Sequence, residues 1–266
     1  MPLLVVPTPI GNLEDITLRA LRVLREADLV ACEDTRRTGR LLAHHGIEAR
    51  LAAYHEHNER RMAPLLAERA ASERVALVSD AGMPLVSDPG YRLIRACIER
   101  GVPVEVLPGP SALVTALVAS GLPADTVVFC GFVPRGGRER AGLLRRIGRE
   151  RATFVLFESP RRLRDFLAEL PPETPVAVCR EMTKLHEEIF RGAAGEAVRR
   201  FSGGVKGEVV VVVRGGGAPG EVALEEAVAL ARGYLEEGLS PSRAAARAAR
   251  ETGRSRREIY DRLAAG

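Results

Sequence analysis

The segment from Val75 to Ala112 constrains the fold more than any other part of the chain. An apolar run, Val75–Val78, stops at Ser79-Asp80-Ala81-Gly82-Met83-Pro84, and Leu85-Val86-Ser87-Asp88-Pro89-Gly90 follows. After a helical stretch a second run, Val104–Leu107, stops at Pro108-Gly109-Pro110-Ser111-Ala112. Proline and glycine at these positions prevent regular backbone beyond the strand ends. Two strands that end this way build the rim of a crevice at the carboxyl edge of an α/β sheet, where such sheets bind ligands. Neither Gly-x-Gly-x-x-Gly nor a Gly-Lys-Ser/Thr loop follows these runs. The crevice is therefore shaped for a small molecule without a pyrophosphate, which disfavours an NAD-dependent Rossmann enzyme.

The rest of the chain extends the same alternation. Leu3–Val6 and Leu29–Cys32 read as strands around a helix starting near Ile16, with Asp15 placed to cap it. Alternating β and α elements predict a mostly parallel sheet covered on both faces. The pattern pauses at Ser120–Asp125, which marks a boundary. A second α/β set follows, with strands at Val127–Phe132, Thr153–Phe157, Val176–Cys179 and Val209–Val213, and helices near Glu139–Gly148 and Arg161–Leu170. The valine run reads as a buried central strand. Gly215–Gly220 is a linker.

Beyond the linker the pattern is helical only. Glu221–Glu237 reads as one helix, and Ser240-Pro241 opens a second with a cap and a proline at the first helical position. Gly253 stops that helix, and Ser255-Arg256-Arg257-Glu258 is a capping box for a third. The last two have the shape of a helix-turn-helix. The expected units are 1–120, 121–217 and 218–266: two α/β domains of αβα layering and a small all-α segment.

Length and composition narrow the class. The chain has 266 residues, 46% of them hydrophobic, so two domains can each bury a core. No run approaches the roughly 20 apolar residues of a membrane helix, and the N-terminus reads as a strand rather than a signal peptide. Cys32, Cys97, Cys130 and Cys179 are scattered without a Cys-x-x-Cys pair, which argues against zinc and disulfides and fits a reducing cytoplasm. Net charge is +4, and every Lys or Arg except Lys184 and Lys206 is arginine. That bias reads as compositional.

Several loops concentrate polar groups. Pro7–Asp15 reads as a βα turn with backbone open to a ligand. Glu33-Asp34-Thr35-Arg36 follows a buried strand and reads equally as a helix cap with surface ion pairs or as a wall of the crevice. His55 and His57 sit in a polar cluster with no third metal ligand at a suitable spacing. Arg135 and Arg138 flank a Gly-Gly loop suited to phosphate oxygens. Arg180, Glu181 and Lys184, with Glu158, suit an anionic substrate. Arg243, Arg247, Arg250 and Arg254 recur at helical spacing as a basic stripe, either solvated or tracking phosphates.

Taken in order, Thr8–Thr17, Glu33–Arg36, Ser79–Pro84, Ser87–Gly90, Pro108–Ala112, Phe157–Pro160 and Arg180–Lys184 closely resemble the small-subunit ribosomal RNA methyltransferase I family. The resemblance runs from Leu3 to the C-terminus. It implies the tetrapyrrole-methylase fold, S-adenosylmethionine in the interdomain cleft, a homodimer, and transfer of methyl to the ribose 2′-hydroxyl of a cytidine in the decoding region. Naked rRNA and an assembled subunit both remain open as substrate. The alternatives are a tetrapyrrole methyltransferase and a non-catalytic RNA-binding assembly factor.

The resemblance also assigns residues. Ile10, Asp80, Met83, Ser111, Ala112, Phe157, Cys179 and Glu208 match cofactor-contact positions. Candidates for activating the ribose hydroxyl are Glu33, Asp34, Asp88, Glu181 and Lys184, with Arg36 and Arg180 steering phosphates. For Lys184 to serve as base, its pKa must be lowered by burial beside arginines.

Overall fold

The structure is a computed structural model that describes residues 1–216, 224–252 and 254–264. Gly217–Gly220 of the expected linker, the first three residues of the expected helix Glu221–Glu237, and the stop at Gly253 lie outside the described residues.

The first domain builds its sheet from β1 (Leu3–Val5), β2 (Leu29–Cys32), β3 (Leu51–Ala53), β4 (Val75–Val78) and β5 (Val104–Val106). All pairs are parallel, in the order β3-β2-β4-β1-β5. Strand side chains alternate between two cores. Leu3, Val5 and Leu77 face α3 (Glu59–Ala70) and α4 (Tyr91–Glu99), while Leu4, Val6 and Val78 face α1 (Leu18–Glu26) and α2 (Thr35–His44). Both faces are covered, so the strands read as unbroken apolar runs.

One capping assignment differs from the sequence reading. Leu13–Asp15 forms a 3-10 turn, and the Thr17 hydroxyl, not Asp15, caps α1 by accepting from Ala20 N at 3.0 Å. β3 escapes sequence reading because it is short, lies at the sheet edge, and consists of Leu51 and two alanines with little strand preference.

The second domain comprises α5 (Ala112–Ser120), β6 (Val127–Phe132), α6 (Gly137–Arg149), β7 (Thr153–Glu158), α7 (Leu163–Ala168), β8 (Pro175–Arg180), β9 (Glu188–Ala193), α8 (Ala194–Arg200) and β10 (Val209–Arg214). Its order is β6-β7-β10-β8-β9. The mostly parallel arrangement expected from the first strands, and found in the first domain, does not recur here. Only β6 and β7 run parallel, and β10 is antiparallel to both neighbours, as β9 is to β8. The β8–β9 connection, Glu181–Glu187, is too short for a parallel crossover, so the chain turns back as a hairpin. β10 is buried and central, as the valine run implies.

Helix α5 carries Ala116 onto the inner face of this sheet, against Val155, Ala177, Cys179, Val210 and Val212, and Ile10 from the first domain joins them. Helices α6, α7 and α8 cover the outer face.

Three C-terminal helices follow: α9 (Leu224–Glu236), α10 (Pro241–Thr252) and α11 (Arg256–Ala264). Ala227, Ala231, Ala244, Ala245 and Ala248 are buried between them with Ile259, so small side chains bring the helices close. Proline opens α10 as expected, and the Ser255 hydroxyl accepts from Glu258 N at 3.4 Å at the start of α11. Arg151 Nη2 donates to Thr252 O at 2.5 Å, tying this bundle to the second domain. Among the described residues no helix is long and apolar enough to cross a membrane.

Candidate active site

The two sheets meet over a cavity of about 350 Å³. Parallel strands bring loops of the first domain to one edge. Ile10 follows β1, Gly82, Met83 and Asp88 follow β4, and Ser111 and Ala112 follow β5. The second domain contributes Phe132 and Phe157 from the ends of β6 and β7. Because β10 runs antiparallel, its start reaches the same edge: Val209 stands opposite Glu158 and Arg180, and Gly207–Val210 form the floor. The antiparallel insertion thus adds a wall that a parallel strand would have placed at the far end.

The first-domain loops are fastened to one another. Thr8 and Gly82 exchange both backbone hydrogen bonds at 2.9 Å. Gly82 has φ +79°, a conformation that glycine adopts without cost. Two non-glycine residues, Leu85 (φ 76°) and Ser87 (φ 69°), also occupy the left-handed region on either side of Val86, which lines the cavity. Such residues cost about 1 kcal/mol or more each and persist where the surroundings over-determine them.

The acidic groups separate into different roles. Asp88 lines the cavity, and burial pushes its carboxyl up to about 6, reinforced by Glu33 while Ser79 pulls the other way. Glu33 is also raised, first by burial and then by Asp80. Asp80 lies outside the lining: it accepts from Asp34 N at 3.0 Å and pairs with Arg37 at 3.2 Å, joining the β2 and β4 loops. Asp34 is the N-cap of α2, accepting from Arg36 N at 2.8 Å, and that bond holds its carboxyl below the usual range. Arg36 pairs back to Asp34 at 3.3 Å with its side chain largely exposed. The Glu33–Arg36 segment therefore combines the two roles left open by sequence: Asp34 and Arg36 form a cap, while Glu33 flanks the cavity's carboxylate.

On the second domain, Lys184 Nζ bridges Glu181 and Glu208, each at 2.9 Å. Burial pulls Lys184 down, but the hydrogen bonds to the two carboxylates outweigh it and hold the ammonium above its ordinary value. This corrects the expectation of a lowered pKa, because carboxylates rather than arginines surround the amine. Glu181 accepts from Glu208 N at 2.8 Å, and that bond, with Lys184, keeps its carboxyl low. Glu208 lines the cavity. Cys179 lies beneath it, buried against α5, with its thiol pushed up to about 11 by burial.

Arg180 is held by Glu188 at 3.2 Å and Lys206 O at 3.2 Å. Arg135 and Arg138 are exposed on the segment that follows β6 and, among the described residues, have no carboxylate partner. The basic stripe does not survive intact. Arg254 lies past the end of α10, and Arg247 stacks on Tyr234 at 4.1 Å while pairing with Glu237 and Glu251. Arg243 and Arg250 remain exposed on α10. The His55 and His57 rings lie 6.0 Å apart edge to face, and among the described residues no group of His, Cys, Asp and Glu is arranged to hold a metal ion.

Sequence reasoning missed Phe132, Val86, Gly207 and Val210 as lining residues. Phe132 carried one signal: an aromatic at a strand end just before a Gly-Gly loop. Gly207 and Val210 become wall only through β10's direction, and Val86 through the left-handed turn residues that flank it.

Two α/β domains closing on an apolar cavity without a phosphate cradle, followed by a helix-turn-helix bundle, together with a match of residues 2–198 to a methylase family model, make this a methyltransferase of the tetrapyrrole-methylase type. The profile of the Tetrapyrrole (Corrin/Porphyrin) Methylases matches residues 2–198, and that of the RsmI C-terminal HTH domain matches residues 221–265. The ribosomal RNA small subunit methyltransferase I of Halalkalibacterium halodurans is 43% identical over 97% of this chain and 93% of its own. The Thermotoga maritima protein of the same name is 47% identical over 80% of this chain and 98% of its own. The uroporphyrin-III-C-methyltransferase from Thermus thermophilus superposes with a TM-score of 0.56 at 27% identity, over 79% of this chain and 93% of its own. The chain belongs to the ribosomal RNA small subunit methyltransferase I family.

S-adenosylmethionine is the cofactor of this fold, and the cavity suits it. Ile10, Met83, Phe157 and Val210 offer apolar faces, and Asp88 and Glu208 offer negative charge toward a cationic ligand.

Proposed function

We propose that this chain transfers methyl from S-adenosylmethionine to the ribose 2′-hydroxyl of a cytidine in the decoding region of small-subunit rRNA. The observation that carries the reading is the apolar interdomain cavity with one carboxyl, Asp88, raised to about 6 on its wall. The relatives at 43% and 47% identity favour rRNA as the substrate.

The bound cofactor supplies a methyl group on a sulfonium, open to in-line attack. Ile10, Met83, Ser111, Ala112, Phe157 and Glu208 hold it, with Asp80 and Cys179 acting from behind the wall by fixing the loops and the inner sheet face. Asp88 is the base. Its pKa near 6 leaves it ionised at neutral pH yet more basic than an ordinary aspartate, which suits proton removal from a hydroxyl. Glu33 acts through Asp88 by keeping its pKa up. Glu181 and Lys184 serve as positioning residues for Glu208, and Asp34 as a helix cap. Orientation of the hydroxyl toward the methyl contributes several kcal/mol on general grounds. Arg135 and Arg138 take phosphates near the cavity mouth.

On this reading the units expected at 1–120 and 121–217 supply the two walls, with α5 (Ala112–Ser120) packing on the second sheet rather than the first, and 218–266 is the RNA-binding appendage. The enzyme works in the cytoplasm, where its substrate is. A second copy of the chain is its partner. Helix α5 is apolar on all sides, and Val114 and Val118 are 53% and 76% exposed on it.

A tetrapyrrole substrate is the second reading, favoured by the solved neighbour. Incubation with labelled S-adenosylmethionine and either small ribosomal subunits, protein-free rRNA or uroporphyrinogen separates these cases. Label in a cytidine 2′-O-methyl supports the proposal and shows whether assembled or naked RNA is used. Label in the tetrapyrrole overturns it, and label in neither favours a non-catalytic assembly factor.

A further inference from the structure

Helix α11 carries a basic and aromatic face that the α10 stripe concealed in the sequence. Arg256, Arg257 and Tyr260 fall on one side of it and, with Ser242 of α10, enclose a shallow cleft of about 390 Å³. Arg256 Nη2 donates to the Ser242 hydroxyl at 2.7 Å, which orients its guanidinium along the cleft. The Arg257 side chain is 91% exposed, and its contact to Asp261 at 3.9 Å is a solvated pair that holds it only weakly.

Tyr260 is 43% exposed. Among the described residues of the three C-terminal helices it is the only exposed large hydrophobic side chain, while its neighbour Ile259 is buried. Both arginines sit in the first turn of α11, where positive charge opposes the helix dipole, so helix stability does not account for them.

From this arrangement we infer that the Arg256–Arg257–Tyr260 face of α11 binds an unpaired segment of RNA, with a base stacked on Tyr260 and flanking phosphates on the two arginines. An aromatic platform beside guanidinium groups is the general means of holding single-stranded nucleic acid. α11 is also the second helix of the helix-turn-helix, the one that enters the nucleic acid in such motifs. This inference rests on the reading of rRNA as substrate and moves the contact surface from α10 to α11.

Its test uses the full chain and a fluorescent hairpin transcript of the decoding region with an open loop, alongside the same strand annealed to its complement. Tyr260→Ala is expected to weaken hairpin binding roughly tenfold, with little change on the duplex. Tyr260→Phe retains wild-type affinity. Arg257→Ala weakens both and lowers the salt slope by about one. Calorimetric affinity for S-adenosylmethionine stays unchanged in all three.

Wild-type hairpin binding that is equally strong in Tyr260→Ala and Arg257→Ala overturns this surface and leaves the rRNA reading standing. Variants that keep hairpin affinity but lose affinity for small ribosomal subunits mark a protein contact and also overturn it. A wild-type chain that neither binds the hairpin nor methylates rRNA overturns both readings together.

Discussion

Asn12 N donates to Thr183 Oγ1 at 2.9 Å, fastening the first loop of one domain to the β8–β9 turn of the other. The preceding residue makes this approach possible. A Cβ on Gly11 would stand 2.6 Å from both Thr183 Oγ1 and Lys184 Cγ, and 2.8 Å from Met182 O. Thr183 and Glu181 adopt positive φ, so the turn is shaped to present these atoms.

Gly11→Ala is therefore expected to push the domains apart beside Ile10. Because backbone oxygen as well as side chains must yield, affinity for S-adenosylmethionine should fall about tenfold or more, read by calorimetry. An unchanged affinity would separate the domain contact from the cofactor site.

Asp88→Asn should lower kcat by roughly 10²–10⁴ if it is the general base. Wild-type activity should rise as pH increases through about 6, and the variant should lack that limb. The same ionisation has a stability consequence. Between the ordinary aspartate value of 3.8 and about 6, the folded protein holds a proton that the unfolded chain has released. Stability from this group is therefore present at low pH and lost as pH rises through that window. Thermal unfolding of Asp88→Asn should lack the loss.

Lys184→Met leaves Glu181 and Glu208 facing each other without their cation. Both bridges are partly solvated, so the expected cost is about 1 kcal/mol, a loss of several-fold in cofactor affinity. The pH–rate profile should keep its shape. A lost basic limb would instead mark Lys184 as a proton acceptor.

Glu158 has no exposed side-chain surface and is held by Arg162 at 2.6 Å and Arg140 at 3.9 Å. Arg140 also spans Glu169 and Pro134 O, which fixes the loop beyond Phe132. Arg140→Ala leaves Glu158 its closer partner Arg162 but removes the hydrogen bonds to Glu169 and Pro134 O, and should destabilise the protein by about 1–3 kcal/mol. Denaturant unfolding measures this directly, and a loss below 1 kcal/mol would show that the site relaxes.

Arg135→Ala and Arg138→Ala should leave cofactor affinity intact. Each should reduce the salt dependence of RNA binding by nearly one unit of slope. Equal slopes in variant and wild type would remove these residues from the phosphate contacts.

Much of this protein is legible in local sequence. Apolar runs such as Val75–Val78 and Val209–Val213 become strands because burial on both faces tolerates no polar interruption. Gly82 and Pro84 end a strand at the cavity, since their backbone chemistry leaves no regular alternative. Ser240-Pro241 opens a helix for equally local reasons. The family resemblance carried by such turns pointed to Ile10, Met83, Asp88, Ser111, Ala112, Phe157 and Glu208, and all seven line the cavity.

Other features were settled by the tertiary structure alone. The direction of β10, which brings Gly207–Val210 to the cavity, depends on which strands it pairs with, and side-chain periodicity is the same for parallel and antiparallel neighbours. The charge state of Lys184 depends on Glu208, which lies far away in the chain but 2.9 Å away in space. Arg247 looks like part of an open basic stripe until Tyr234 and Glu251 fold against it. Sequence specifies which groups are present and which backbone each segment prefers. Desolvation and Coulomb energies act across distances that only the packed chain creates, so the roles of those groups are decided there.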